Sequence, residues 1–335
     1  MSRFLEECMK FIETQPFDVL RISEVQGDGE IETVEAQEIC RCQNTYSVSK
    51  TFTMTAIGML YDRGLVTPDE KIRDIFADEW AEYGREIDER WDLNTVDMAL
   101  THRIGVPGGF LDIDTHRISE FGEDFLRYML TYPLDYTPGT GSKYSDGAFY
   151  LLARVAEKKT GEVMDNFLWR ELLWPMGFQE MAWSHCPKGH VIGATGLYLH
   201  SEDMVRLGQL YLNGGVYKGR RYLSEEWVNL ALTRGYGLDS WDGRVYFKGG
   251  MYGQKLAIFP EQNRVLAMQA FGANSDAVTK WALEYKDLKS GGTFFEKKVP
   301  PHPFLKTFKQ KRWVEFVQIY RKIWLVRWFI PLRLP

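Results

Sequence analysis

Residues 51–61 (TFTMTAIGMLY) carry no charged side chain. A helix apolar on every face is normally buried, so this stretch predicts a helix through the protein interior. Lys50 stands at its entrance and Ser47 three residues earlier. Spacing of i, i+3 puts the two side chains on one face of a first helical turn. A buried lysine needs a partner or a lowered pKa, and either state suits it to a hydroxyl that must lose a proton. The helix start also offers backbone N–H groups to negative charge forming beside Ser47. Serine is equally a common helix cap, so the tetrapeptide gains meaning only from the rest of the chain.

The other elements follow from periodicity. Residues 3–14 carry a helical stripe (Phe4, Leu5, Cys8, Phe11, Ile12) that Pro16 ends. Phe17–Val25 alternates as a strand, Gly27-Asp28-Gly29 is a hairpin signal, and Ile31–Cys42 reads as further strand. The buried helix runs to Gly64. Residues 67–189 read as mainly helical with long loops. Val245–Gly250, Gln254–Phe259 and Arg264–Phe271 read as strands, and Ser275–Leu288 as a helix. This order predicts an α/β (α+β) fold: an antiparallel β-sheet flanked by N- and C-terminal helices, with an inserted all-helical lobe. The sheet lobe would take about 1–66 and 190–288, and the helical lobe about 67–189. A cleft between two lobes is a favoured place for a site.

Charge divides the chain unevenly. Residues 289–335 hold eleven Lys/Arg against two Asp/Glu, a net of +9 that leaves −14 on residues 1–288. This basic, aromatic tail begins with a linker-like run, and Arg312–Ile330 reads as a helix. Such a helix can lie on an anionic membrane surface or pack against the acidic body. Aromatic-rich helices more often bury their apolar face in protein, which favours the second reading. So much of the tail is apolar that nucleic acid is not the expected partner. The N-terminal residues contain acidic side chains and no uninterrupted apolar core, unlike a signal peptide. Cys8, Cys40, Cys42 and Cys186 form no disulfide framework. A cytoplasmic setting, with peripheral membrane contact through 312–330 as the variant, is the expectation. Oligomeric state is not legible.

Two further motifs join Ser47–Lys50 (SVSK). Tyr144-Ser145-Asp146 follows Pro138-Gly139-Thr140, and Lys248-Gly249-Gly250 sits on a predicted strand. A phenol close to two ammonium groups is easier to deprotonate, so Tyr144 and Lys50 are both candidate bases for Ser47. Lys248 adds positive charge for a substrate oxygen or carboxylate. His185, Cys186 and His190 fit no standard zinc spacing, and His102 reads as a loop histidine bonded to backbone. Gly-x-Ser-x-Gly, His-Glu-x-x-His and phosphate-cradling loops are absent.

In this order the three motifs resemble Ser-x-x-Lys, Tyr-x-Asn and Lys-Thr-Gly of the serine β-lactamase-related hydrolases. The chain is most similar to the class C-like, penicillin-binding-protein-like branch. Supporting stretches are Leu100–Gly105, Trp174–Gly177, Gly193–Leu197, Asp203–Gly208 and Gly250–Gln254. The resemblance covers about residues 1–288. It implies a β-lactamase/transpeptidase-like fold and an acyl-enzyme on Ser47. Tyr144 would act with Lys50 as general base and acid. The oxyanion would meet the backbone N–H groups of Ser47 and Met251, beside Gly250. No metal or organic cofactor is implied. Lys289-Ser290-Gly291 also matches Lys-Thr-Gly but has no predicted strand behind it.

Asp146 departs from the family's asparagine. A carboxylate only accepts hydrogen bonds, which favours esters, or amides carrying an amino group nearby, unless Lys50 or Lys248 neutralises it. Ile104 replaces a frequent serine. The expected substrate is therefore a small ester, amide or short peptide. The alternatives are a true β-lactamase or D-amino-acid peptidase, and a non-catalytic ligand-binding or sensor protein on the same fold.

Overall fold

The computed structural model describes residues 1–286 and the backbone of 326–329. Its main sheet has six antiparallel strands in the order β2-β1-β11-β10-β9-β8. These are β1 (Asp18–Gln26), β2 (Glu32–Glu35), β8 (Asp239–Trp241), β9 (Val245–Gly249), β10 (Lys255–Phe259) and β11 (Arg264–Phe271). Its central strands are buried on both faces. Val265 and Ala267 of β11 face the large core, while Leu266, Met268 and Ala270 face a second core against the terminal helices. The period of two along a strand produces this division. The terminal helices, Arg3–Glu13 and Ser275–Glu284, meet over that outer face, with Phe11 stacked on Trp281 at 5.6 Å. On the inner face the Ser201–Leu212 helix packs across β1, β10 and β11.

A smaller antiparallel sheet has the order β12-β4-β5-β3. It comprises β3 (Gln43–Asn44), β4 (Met181–Ser184), β5 (Leu197–Leu199) and β12 (Val326–Phe329); Val216–Tyr217 and Arg220–Arg221 are a separate ribbon, β6 and β7. This sheet corrects two expectations. Residues 36–42 are not strand: the amides of Ala36 and Gln37 turn back to the Leu20 carbonyl, and the chain leaves β1 there. Within the expected Arg312–Ile330 helix, Val326–Phe329 is instead a strand on β4. Val, Trp and Phe suit a pleated surface, and the open edge of β4 supplies the hydrogen-bond partners. The rest of the tail, including Lys289-Ser290-Gly291 and the remainder of 312–330, lies outside the described residues. No helix among the described residues is long and apolar enough to cross a membrane.

The Ser49–Asp62 helix runs through the core, with residues 49–60 all buried. Three threonines lie on it without leaving unpaired hydroxyls. Thr51 donates to Val48 O, Thr53 to Gly193 O and Thr55 to Thr51 O. A Cβ at Gly58 would meet the Trp227 indole at 2.1 Å, so glycine is what lets the 225–234 helix approach.

Candidate active site

Ser47 lies in a 3₁₀ turn, Tyr46–Val48, rather than in the α-helix itself, which starts at Ser49. Tyr46 has φ +49°, a conformation that costs a non-glycine residue energy. Its N–H donates to Asn44 Oδ1 at 2.9 Å, and its ring meets Tyr252 edge-on. β3 thus ends in a kink that sets Ser47 at the mouth of the helix.

Lys50, one turn on, is fully buried. Its ammonium donates to Ser47 Oγ at 3.1 Å, Asp146 Oδ1 at 2.7 Å and Ala194 O at 2.9 Å. Three N–H donors meet three acceptors, and the group is held charged. Burial alone would lower its pKa, but the neighbouring charge of Asp146, with Tyr144, outweighs it and raises the pKa. Of the two states open to a buried lysine, this chain uses the partner. Asp146 is thereby neutralised, on the first residue of the Asp146–Thr160 helix.

Tyr144 completes the group. Its hydroxyl donates to Ser47 Oγ at 2.8 Å, and its ring is half-exposed. Lys50 Nζ stands 4.7 Å and Lys248 Nζ 5.0 Å from the ring centroid, so two positive charges flank the phenol. The His102 ring packs on it at 4.5 Å, and His102 Nδ1 accepts the Ser145 N–H at 3.3 Å, the backbone bond expected from sequence. Burial, then the charges of Lys50 and Lys248, push His102 down to about 3, so the ring is neutral.

Lys248 lies buried on β9, 3.3 Å from Asp239 on the adjacent β8. The strand then passes Gly250, where a Cβ would stand 2.7 Å from the Thr45 carbonyl oxygen. Close approach of β9 to the Ser47 turn therefore needs glycine at 250. At Gly249 a Cβ would meet nothing nearer than 3.6 Å. The backbone N–H of Met251 makes no hydrogen bond among the described residues. An open cleft of about 420 Å³ runs past Tyr144, Lys248, Gly250, Met251, Lys255 and Asn274. Lys255, largely buried, pairs with Asp276 at 2.7 Å.

One residue with no sequence signal belongs to this group. Asp112, Asp114 and Asp146 bring carboxylate oxygens within 4.8 Å of one another, and Thr195 donates to Asp114 at 2.6 Å. Burial first, then the charges of Asp146 and Asp112, push Asp114 up to about 7. The folded chain therefore holds a proton that the unfolded chain releases near pH 4. Between about pH 4 and 7 the contribution of Asp114 to stability therefore falls as pH rises. In urea unfolding at each pH, Asp114→Asn is expected to lack this component. Wild type should lose on the order of 2 kcal/mol relative to the variant across that window. A constant difference would show that Asp114 ionises like a free carboxyl. The sequence-excluded metal set stays apart from the site: His185 pairs with Asp165 and His190 with Glu157.

Several known proteins are similar to this chain. The sequence is 25% identical over 247 residues to penicillin-binding protein 4 of Amycolatopsis lactamdurans, covering 59% of this chain and 62% of that protein. It is 26% identical over 204 residues to the 6-aminohexanoate-dimer hydrolase of Paenarthrobacter ureafaciens, covering 56% and 50%. The chain thus spans only part of these relatives' length. A penicillin-binding protein homologue from Caulobacter crescentus superposes with TM-score 0.65 at 15% identity, over 84% of this chain and 95% of its own, which establishes the fold. The sequence profile described as Beta-lactamase matches residues 43–287, from the strand before Ser47 to just past the Ser275–Glu284 helix. On that match, which takes in most of the chain and every site residue above, the protein belongs to the Beta-lactamase family.

Proposed function

We propose that this protein is a serine hydrolase that cleaves a small ester, amide or short peptide through an acyl-enzyme on Ser47. The observation that carries the reading is the convergence on Ser47 Oγ of Tyr144 Oη at 2.8 Å and Lys50 Nζ at 3.1 Å, beside an open cleft. In the reacting state Tyr144 has given up the proton it donates in the resting hydrogen bond, and its oxygen takes the Ser47 proton while Oγ attacks the substrate carbonyl. The tetrahedral oxyanion is held by the N–H groups of Ser47 and Met251. Tyr144 returns the proton to the leaving group as the carbon–heteroatom bond breaks. Water then enters, gives a proton to Tyr144 and attacks the acyl carbon, and Ser47 Oγ leaves with that proton. Lys50 remains an ammonium throughout, because Asp146 holds it so. Its role is to stabilise negative charge on Ser47 and Tyr144.

The Lys50–Asp146 pair also bears on substrate class. With Asp146 neutralised by Lys50, the positive groups that a substrate oxygen or carboxylate meets in the cleft are Lys248, beside Asp239, and Lys255, beside Asp276. A panel of small esters, amides and amino-acid amides, assayed against Ser47→Ala, tests the reading. Turnover that is lost in Ser47→Ala supports it, and equal turnover by both proteins counts against it.

Gly250 provides a geometric test. Gly250→Ala should push the Thr45 backbone and lower the rate of Ser47 acylation about 100-fold, since an ångström at the reacting atoms can cost that much. Gly249→Ala, with only ordinary contacts, should stay within about threefold of wild type. Equal effects at both positions would count against the close-approach argument.

A further inference from the structure

The small sheet places three potential metal ligands in one cross-strand row. Gln43 pairs with Leu199, and Ala182 with Tyr198. Extending both registers by the antiparallel rule sets Cys42 and Glu180 on either side of His200. Residues directly opposite share a sheet face, with Cβ atoms about 5 Å apart. The side chains meet as that register requires. His200 Nε2 bonds Glu180 Oε1 at 2.7 Å, and a ligand atom of each of the three lies within 4.8 Å of the others. Cys42 is buried, while Glu180 and His200 are half-buried, which leaves an entry path from solvent.

A further buried carboxylate lies close to this row. Asp203 begins one turn after His200 on the Ser201–Leu212 helix and is 1% exposed. Its Oδ1 accepts from Arg206, but its Oδ2 is buried without a hydrogen-bond partner among the described residues. Asp203 interacts electrostatically with both His200 and Cys42. Cys42 therefore stands beside the carboxylates of Glu180 and Asp203 with no cation of its own among the described residues. A bound cation reverses that logic and lets the thiolate form.

The geometry points to a zinc site formed by Cys42 Sγ, His200 Nε2 and a Glu180 carboxylate oxygen. One thiolate, one imidazole and one carboxylate are a donor set for Zn²⁺ rather than Mg²⁺ or Ca²⁺. Binding takes the place of the His200–Glu180 contact, shifts the imidazole proton from Nε2 to Nδ1 and releases the Cys42 thiol proton to solvent. Water fills the fourth position on the half-exposed side. The site is distinct from Ser47 and supplies no group to the reaction. It ties β3 to β5 and to the strand β4 that Glu180 precedes. Because β3 leads into the Ser47 turn, the zinc would brace the nucleophile's backbone from behind.

The test uses the full-length protein, stripped of metal and titrated with Co²⁺ and then Zn²⁺. The expected result is about one equivalent bound, with intense visible bands of tetrahedral cobalt and a near-ultraviolet thiolate-to-cobalt band that zinc abolishes. Zinc should also raise the melting temperature. Cys42→Ser and His200→Ala should lose the cobalt spectrum and the zinc-dependent rise. Cys40→Ser should keep both, because the Cys40 thiol is exposed and turned to the Cys42 carbonyl. A wild-type cobalt complex without a thiolate band overturns the proposal whatever the variants do. A thiolate band lost in Cys40→Ser but kept in Cys42→Ser would also overturn it, by moving the ligand to the surface cysteine.

Discussion

Tyr144→Phe is expected to lower the rate of Ser47 acylation about 1,000-fold while leaving the fold intact, the size of effect that a positioned proton acceptor supplies. The phenylalanine keeps the ring between Lys50 and Lys248 and under His102, and removes only the oxygen that meets Ser47 Oγ. Because the ring is half-exposed, stability should change by less than about 1 kcal/mol. Labelling kinetics with an acylating probe, read beside urea unfolding, separate the two effects. Lys50 cannot take the proton in place of Tyr144, since all three of its N–H groups are engaged and its charge is held by Asp146. A variant acylated at more than about a third of the wild-type rate would show that another group accepts the proton.

Lys50→Met is expected to destabilise the protein by about 3–5 kcal/mol, because it leaves the Asp146 carboxylate buried without its partner and close to Asp112 and Asp114. Adding Asp146→Asn removes that uncompensated charge. The double variant should recover about half or more of the loss in urea unfolding, yet remain inactive toward an acylating probe. Recovery of stability without recovery of acylation would separate the two roles of Lys50: balancing Asp146 in the core, and stabilising charge at Ser47. If the single and double variants were equally stable, the buried pair would not be the main term.

Some features were legible in the sequence because chemistry or burial fixes their spacing. The charge-free run after Lys50 could only be a buried helix, and it is one from Ser49 to Asp62. The i, i+3 relation survived even though Ser47 sits in a 3₁₀ turn, since both helix types place such residues on one face. Five strands of the main sheet were legible from their apolar runs and turns, whereas the short edge strand β8, mostly exposed, carried no such signal. Other features depend on contacts between residues far apart in the chain. Asp114 has no motif around it, and its raised pKa arises only where the fold sets it near Asp146. The Cys42–Glu180–His200 row is invisible along the chain because strand register alone assembles it. The irregular course of residues 36–42 was missed because propensity does not show where β2 stops finding partners on β1. In the tail, helical periodicity and β-forming residues competed at Val326–Phe329, and the open edge of β4 decided for strand.

The central claim is that Ser47 is an activated nucleophile. Its most direct test is intact mass after exposure to a fluorophosphonate probe, with Ser47→Ala treated in parallel. The account predicts a single adduct on the wild type, mapped to Ser47 and absent from the variant. A folded wild type that gains no adduct, or gains one that persists in Ser47→Ala, would contradict it and favour a ligand-binding role for the same cleft.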